Sequence, residues 1–190
     1  MIRARGLVKR FGDRRVLAGV DLELDAGLLL VTGTNGSGKT TLLRILARLA
    51  APSAGTLDLP PRERIGYLGH SPNVYRELSA LENLTHFARL YRVERERVGM
   101  LLERFGLWDA RHERVSAYSR GMTQRLALCR VLLHEPELLV LDEPYTALDT
   151  QGAELLDAQL QELHGIRTFL VSTHDPQRVE RFATTRLALA

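Results

Sequence analysis

Apolar residues along the chain follow two spacings that take turns. Val20, Leu22 and Leu24 alternate with acidic neighbours, predicting a half-exposed strand, and Leu28 to Thr32 (LLLVT) is a continuous apolar run that predicts a buried one. A helix is expected from about Lys39 to Leu49, stopped before Pro52. RIGYLG, from Arg64 to Gly69, reads as a further strand. From about Leu78 to Val115 the spacing turns helical, through Leu81, Leu84, Phe87, Leu90 and Tyr91 and then Val98, Leu101, Leu102 and Phe105. This predicts a helical insertion over about residues 76–118. A helix opened by Ser119 follows, with Met122, Leu126, Cys129 and Leu133 on its apolar face. Then come a strand LLVLD after Pro136, a helix from about Gln151 to Leu163 and a strand TFLVST. Strands alternating with helices predict an α/β fold: a mostly parallel sheet covered on both faces, with the helical segment as a side lobe. No repeat, low-complexity tract or long linker divides the chain, so residues 1–190 read as one domain.

Composition narrows the class. A chain of 190 residues with 45% apolar content buries a substantial core and is globular rather than disordered. No apolar run approaches the roughly 18 residues of a membrane span, and Arg3 and Arg5 lead into polar sequence rather than a signal-peptide core. A soluble, cytoplasmic chain is expected. Cys129 is the single cysteine. It has no internal disulfide partner, and its place on a periodic helical face suits core packing better than nucleophilic chemistry. The formal charge of +3 is too small to imply a nucleic-acid partner, although it is compatible with a nearby anionic membrane surface.

The candidate chemistry begins at GTNGSGKT, Gly33 to Thr40, which fits the phosphate-binding pattern G-x-x-x-x-G-K-[ST]. The motif lies between a predicted buried strand and a predicted helix, as its mechanism requires. Gly33, Gly36 and Gly38 let the backbone curl so that its N–H groups and the helix N-terminus face phosphate oxygens. Lys39 is expected to reach the β- and γ-phosphates, and the Thr40 hydroxyl to ligate Mg²⁺. Thr34, Asn35, Ser37 and Thr41 complete the expected nucleotide-binding stretch. A guanine-reading Asn-Lys-x-Asp motif is excluded, because Lys9 follows Val8 and Lys39 belongs to the loop. Phe11, ahead of the strand pair, offers an aromatic face for a nucleobase, though a core position suits it as well.

Further along, ELLVLDEP ends a strand in Asp142 and Glu143. Two acids at the carboxyl end of an apolar strand stand where open α/β sheets place ligand chemistry. Asp142 is expected to hold Mg²⁺ through its water shell, and Glu143 to polarise the water that attacks the γ-phosphate. FLVST runs directly into His174, placed to sense or stabilise the same phosphate.

In their order, Phe11, GTNGSGKT, YLGHSP, YSRGMTQR, LVLDEP, TALD and STHD resemble the nucleotide-binding subunit of an ATP-binding cassette (ABC) transporter over nearly the whole chain. The resemblance implies ATP and Mg²⁺ as cofactors, and a P-loop fold with an N-terminal antiparallel β part. It identifies YSRGMTQR with the family's signature motif, usually Leu-Ser-Gly-Gly-Gln, whose helix N-terminus binds the γ-phosphate held by a second subunit. Ser119 and Gly121 keep the contact positions, while Tyr118, Arg120 and Met122 depart from the usual residues. Asp149 in TALD then sits at the same dimer seam. His70 replaces the glutamine that commonly links Mg²⁺ and water to the membrane partner. An imidazole there changes charge near neutrality, which implies a pH-dependent coupling. The short span from Lys39 to His70 implies a trimmed antiparallel hairpin around Thr56 to Arg64. The given chain also has no C-terminal extension, which implies no appended regulatory domain.

The resemblance further implies a head-to-tail dimer of this chain, polytopic membrane partners, and a peripheral position on the cytoplasmic face of the inner membrane. YLGHSP, ELSALENL and DEPYTALDTQG are similar to the haem-exporter ATPase subunit of cytochrome c maturation. The ATPase of another export-type ABC system and a soluble ABC ATPase of iron–sulfur assembly are alternatives. A P-loop small-molecule kinase leaves Ser119 to Arg125 and His174 without a role.

Overall fold

The computed structural model describes residues 2–189. Two sheets form its frame. The first is antiparallel, with strand order β2-β1-β4, built from β1 (Ile2–Phe11), β2 (Arg14–Leu24) and β4 (Ala54–Asp58). The second has five parallel strands in the order β5-β6-β7-β3-β8: β3 (Gly27–Gly33), β5 (Ile65–Leu68), β6 (Leu138–Asp142), β7 (Thr168–Ser172) and β8 (Ala183–Leu189). The helices are α1 (Lys39–Leu46), α2 (Ala80–Tyr91), α3 (Glu96–Arg104), α4 (Arg120–Leu132), α5 (Thr150–Leu163) and α6 (Pro176–Glu180).

Alternation along β3 explains why it reads as an unbroken apolar run. Leu28 and Leu30 face one core, with Leu139 and Leu141 of β6, and Leu29 and Val31 face the other, with Leu138 and Val140. The first core continues through α2, α3, α4 and α5; the second joins α1 to Ile2, Ala4 and Leu7 of the antiparallel sheet. A strand buried on both faces needs no polar face. β2 shows the other pattern: Leu24 is buried, while Val20 and Leu22 are partly buried against the second core. Between β5 and β6 the described residues contain helices and turns but no strand.

The expected hairpin around Thr56 to Arg64 is not formed. The β4 strand pairs with β1, from Arg3↔Asp58 to Val8↔Ala54, and Arg62–Arg64 make one turn of 3-10 helix leading into β5. Pro60 and Pro61 lack the N–H groups a returning strand would need. The helix expected to reach Leu49 ends at Leu46, because Arg48 takes a left-handed backbone with φ 55°.

Candidate nucleotide-binding site

Strand register assembles the site. Val31 of β3 pairs with Ser172 of β7, and Ser172 pairs with Asp142 of β6. The residues beyond these ends, from Gly33 onward, Glu143, and Thr173 with His174, therefore emerge together at the carboxyl edge of the parallel sheet. Beside them opens a cavity of about 410 Å³, which Gly33, Thr34, Ser37 and Thr173 do not themselves line. Asn35, Gly36, Gly38, Lys39, Thr40 and Thr41 line it from the loop and α1; His70, Asp142, Glu143 and His174 line it from the ends of β5, β6 and β7. Arg14 and Val16 of β2 also line it.

The loop's shape depends on its glycines. Gly33 has φ 148°, and a Cβ there would lie 2.5 Å from the Leu189 carbonyl oxygen and 2.6 Å from Ser37 Oγ. Gly36 has φ 86° with nothing within 4 Å of a Cβ, so its backbone faces open space. Gly38, in left-handed conformation with φ 100°, caps α1. Lys39 is 8% exposed. Its Nζ donates to the carbonyl oxygens of Gly33 at 2.7 Å and Thr34 at 3.0 Å, which leaves the third ammonium donor for an anion. Ser37 Oγ is buried without a hydrogen-bond partner.

The acidic wall is equally specific. Asp142 is 1% exposed; its Oδ1 accepts from Ser172 Oγ at 2.6 Å, and its Oδ2 is buried with no partner. An orphaned buried carboxylate oxygen in a cavity that also presents the Thr40 hydroxyl is the oxygen donor set a hard cation takes. Among the described residues no cluster of three His, Cys, Asp or Glu could cage a metal. Burial, followed by the charge of Asp142, raises the Tyr67 hydroxyl pKa above its ordinary value.

Glu143 follows Asp142 in a left-handed backbone, φ 54°, which is uncommon for a residue bearing a side chain. Its N–H donates to the Ser172 carbonyl oxygen at 3.1 Å and lies 3.2 Å from Ser172 Oγ. Its Oε2 accepts from the His174 N–H at 3.0 Å, and His174 Nε2 stands 3.2 Å from Oε1 without hydrogen-bond alignment. The carboxylate is thus oriented from its backbone side and reaches the cavity beside an imidazole.

The remaining predicted site residues lie elsewhere. Phe11 is 58% exposed at the β1–β2 hairpin, with Lys9 Nζ 5.1 Å from its ring centroid, which removes the core alternative. It does not itself line the cavity; its cross-strand partner Arg14 does. Ser119 caps α4, accepting from the Met122 N–H at 3.1 Å. Gly121 is buried beside the next loop, where a Cβ would lie 3.4 Å from the Ala147 carbonyl oxygen and 3.7 Å from Asp149 Oδ2. Asp149 caps α5 through the Gly152 N–H at 2.7 Å. Ser119, Gly121 and Asp149 do not line the P-loop cavity. Sequence reading missed Arg14, Val16 and Ser172. Ser172 had a signal as the first residue of STHD, whereas Arg14 and Val16 come to the cavity only through the Phe11↔Arg14 pairing.

A family model described as ABC transporter matches residues 17–146. The chain belongs to the ABC transporter family. It is 39% identical over 94% of its length to the daunorubicin resistance ATP-binding protein DrrA3 of Streptomyces coeruleorubidus, covering 61% of that protein. It is also 39% identical to the cytochrome c biogenesis ATP-binding export protein CcmA of Cupriavidus necator, with 92% of this chain and 83% of that protein covered. Several relatives are longer, and the chain spans about three fifths of the length of the daunorubicin protein. A solved ATP-binding subunit of an ABC transporter superimposes with TM-score 0.91 at 25% identity, covering all of this chain and 85% of that one. A dimeric post-hydrolysis state of the ATP-binding cassette MJ0796, bound to ADP and Pi, gives TM-score 0.85 at 25% identity, covering all of this chain and 94% of that one. The ABC fold is therefore that of this chain, with its mostly parallel sheet, antiparallel β part and helices.

Proposed function

We propose that this chain is the ATP-hydrolysing subunit of an ABC exporter. The carrying observation is the pairing, across one cavity, of the P-loop Lys39 with buried Glu143, whose carboxylate is held beside His174. In this reading the loop from Gly33 to Thr41 holds the phosphates and Phe11 stacks on the base. Glu143 takes the proton of the attacking water, and His174 steadies the transferred phosphate. Thr40 and Asp142, with His70 nearby, would hold Mg²⁺, which when bound supplies charge neutralisation for the phosphates. Ser119, Gly121 and Asp149 lie apart from the cavity and would serve the nucleotide of a second copy.

Two copies then meet head to tail, as supported by the dimeric form of the MJ0796 cassette. Polytopic membrane subunits dock on the pair at the cytoplasmic face of the inner membrane. Among the described residues no helix is long and apolar enough to cross a membrane. Haem export for cytochrome c maturation is the first cargo to examine, supported by the 39% identity to the cytochrome c biogenesis exporter. A cargo tied to drug resistance is the second, supported by equal identity to the daunorubicin resistance protein. Affinity purification from native membranes tests both: a polytopic partner is expected, and its identity separates the cargoes. Recovery of the chain from membranes and cytosol with no polytopic protein would contradict the transporter role.

A further inference from the structure

Asp157 lies on α5, outside the cavity, yet it gathers the two segments that leave β6 and β7. Tyr145, just beyond Glu143, donates its hydroxyl hydrogen to Asp157 Oδ1 at 2.6 Å. Arg178, just beyond His174 on α6, donates from Nη2 to Oδ2 at 2.8 Å and from Nε to Oδ1 at 3.3 Å. Arg181 Nη2 lies 2.9 Å from the same Oδ2. The Arg178 guanidinium also sits over the Tyr145 ring, 5.1 Å from its centroid.

Ordinary surface ion pairs contribute little. This one is different, because the Asp157 side chain is only 13% exposed and three hydrogen bonds and the Arg181 guanidinium converge on it. Burial, then the hydrogen bond to Asp157, pushes the Tyr145 hydroxyl pKa up, so the phenol stays a donor. The link to Glu143 is short and stiff: the Thr146 N–H bonds the Glu143 carbonyl oxygen at 3.1 Å, and the Leu148 N–H bonds that of Tyr145 at 3.1 Å. On the other side the Thr173 hydroxyl accepts from the Asp175 N–H at 3.0 Å, closing the turn that carries His174 into α6.

We infer that Asp157, acting through Tyr145 and Arg178, is a positioning residue that keeps Glu143 and His174 in mutual register for ATP hydrolysis without touching nucleotide. The inference rests on the role proposed above for Glu143 and His174. It predicts a loss in turnover rather than in ATP affinity, because the P-loop side of the cavity is not attached to this network.

The test compares steady-state ATP hydrolysis, ATP binding by calorimetry and thermal melting for wild type, Glu143→Gln, Asp157→Asn, Tyr145→Phe, Arg178→Ala and Arg178→Lys. Asp157→Asn is expected to lower kcat about tenfold with KM for ATP within about twofold, the signature of an interaction that matters only in the transition state. Tyr145→Phe deletes one hydroxyl and is expected to lower kcat about threefold with an unchanged melting temperature. Arg178→Lys is expected to recover part of the turnover that Arg178→Ala loses. If wild type turns over, Glu143→Gln does not, and both Asp157→Asn and Tyr145→Phe keep wild-type kcat, the positioning role alone is overturned. Should Asp157→Asn fail to fold, Tyr145→Phe decides, and wild-type turnover in it overturns the inference. Glu143→Gln hydrolysing ATP like wild type overturns the role of Glu143 and the inference with it.

Discussion

Lys39 and Glu143 are both charged and both nearly buried, but removing each is expected to fail differently. Glu143→Gln keeps the shape of the side chain and loses the proposed base, so ATP binding is expected to persist while hydrolysis slows by about 10²–10⁴-fold. Lys39→Ala removes a phosphate-facing charge, so binding itself is expected to weaken. Equilibrium binding and single-turnover kinetics on both variants separate the two outcomes. Cys129 makes a prediction of the opposite kind. It is buried on α4, its Sγ 3.4 Å from the Leu101 carbonyl oxygen, and burial holds its thiol pKa far above the ordinary range. Because the thiolate is the reactive form, a thiol reagent is expected to label it only as the protein unfolds, and labelling of the folded chain within seconds would show that α4 opens locally. The loop glycines, the lysine and the paired acids that line the cavity were legible because such residues at fixed spacing have few other uses. Arg14 and Val16 were not, since an arginine in a hairpin has many, and only the Phe11↔Arg14 pairing brings it to the cavity.

Among the elements, α2 gives the clearest dependence on pH. Ser79 and Glu82 form a reciprocal capping box: the Glu82 N–H donates to Ser79 Oγ at 3.2 Å, and the Ser79 N–H donates to Glu82 Oε2 at 2.8 Å. The backbone N–H of Ser79 is the main reason that the Glu82 carboxyl pKa lies below its ordinary value of 4.5. A depressed carboxyl pKa contributes stability above the unfolded value and loses it as pH falls through the folded value. The stability gap between wild type and Glu82→Gln is therefore expected to be constant near neutrality and to shrink as pH drops below about 4.5. Urea denaturation at neutral and acid pH measures it, and a gap that widens in acid would contradict the cap's ionic part. The same helix was legible from its periodicity, as were β3, β6 and β7 from their apolar runs. The β1 strand was not, because Arg3, Arg5, Lys9 and Arg10 interrupt its apolar residues and a register shift between Ala4 and Leu7 breaks the alternation. The exposed, threonine-containing β8 strand gave no run either. The absent hairpin shows the converse: a length argument located the segment, whereas its pairing depended on β1, a strand distant in sequence.

At the scale of the whole molecule, the separation of Ser119, Gly121 and Asp149 from the P-loop cavity sets the strongest expectation. If Ser119, Gly121 and Asp149 serve a phosphate, as proposed above, their distance from this chain's own P-loop cavity calls for a second copy, and two-fold pairing then completes both sites at once. Ser119→Arg is expected to abolish turnover while leaving ATP bound at the chain's own P-loop. The most direct measurement is sedimentation velocity of the Glu143→Gln chain with and without saturating ATP and Mg²⁺, alongside wild-type specific activity from nanomolar to tens of micromolar protein. A shared site predicts a monomer that becomes a dimer only with ATP, loss of that dimer in the Glu143→Gln, Ser119→Arg double variant, and activity per chain that rises with concentration. A chain that stays monomeric in ATP, with specific activity flat across the range, would contradict it.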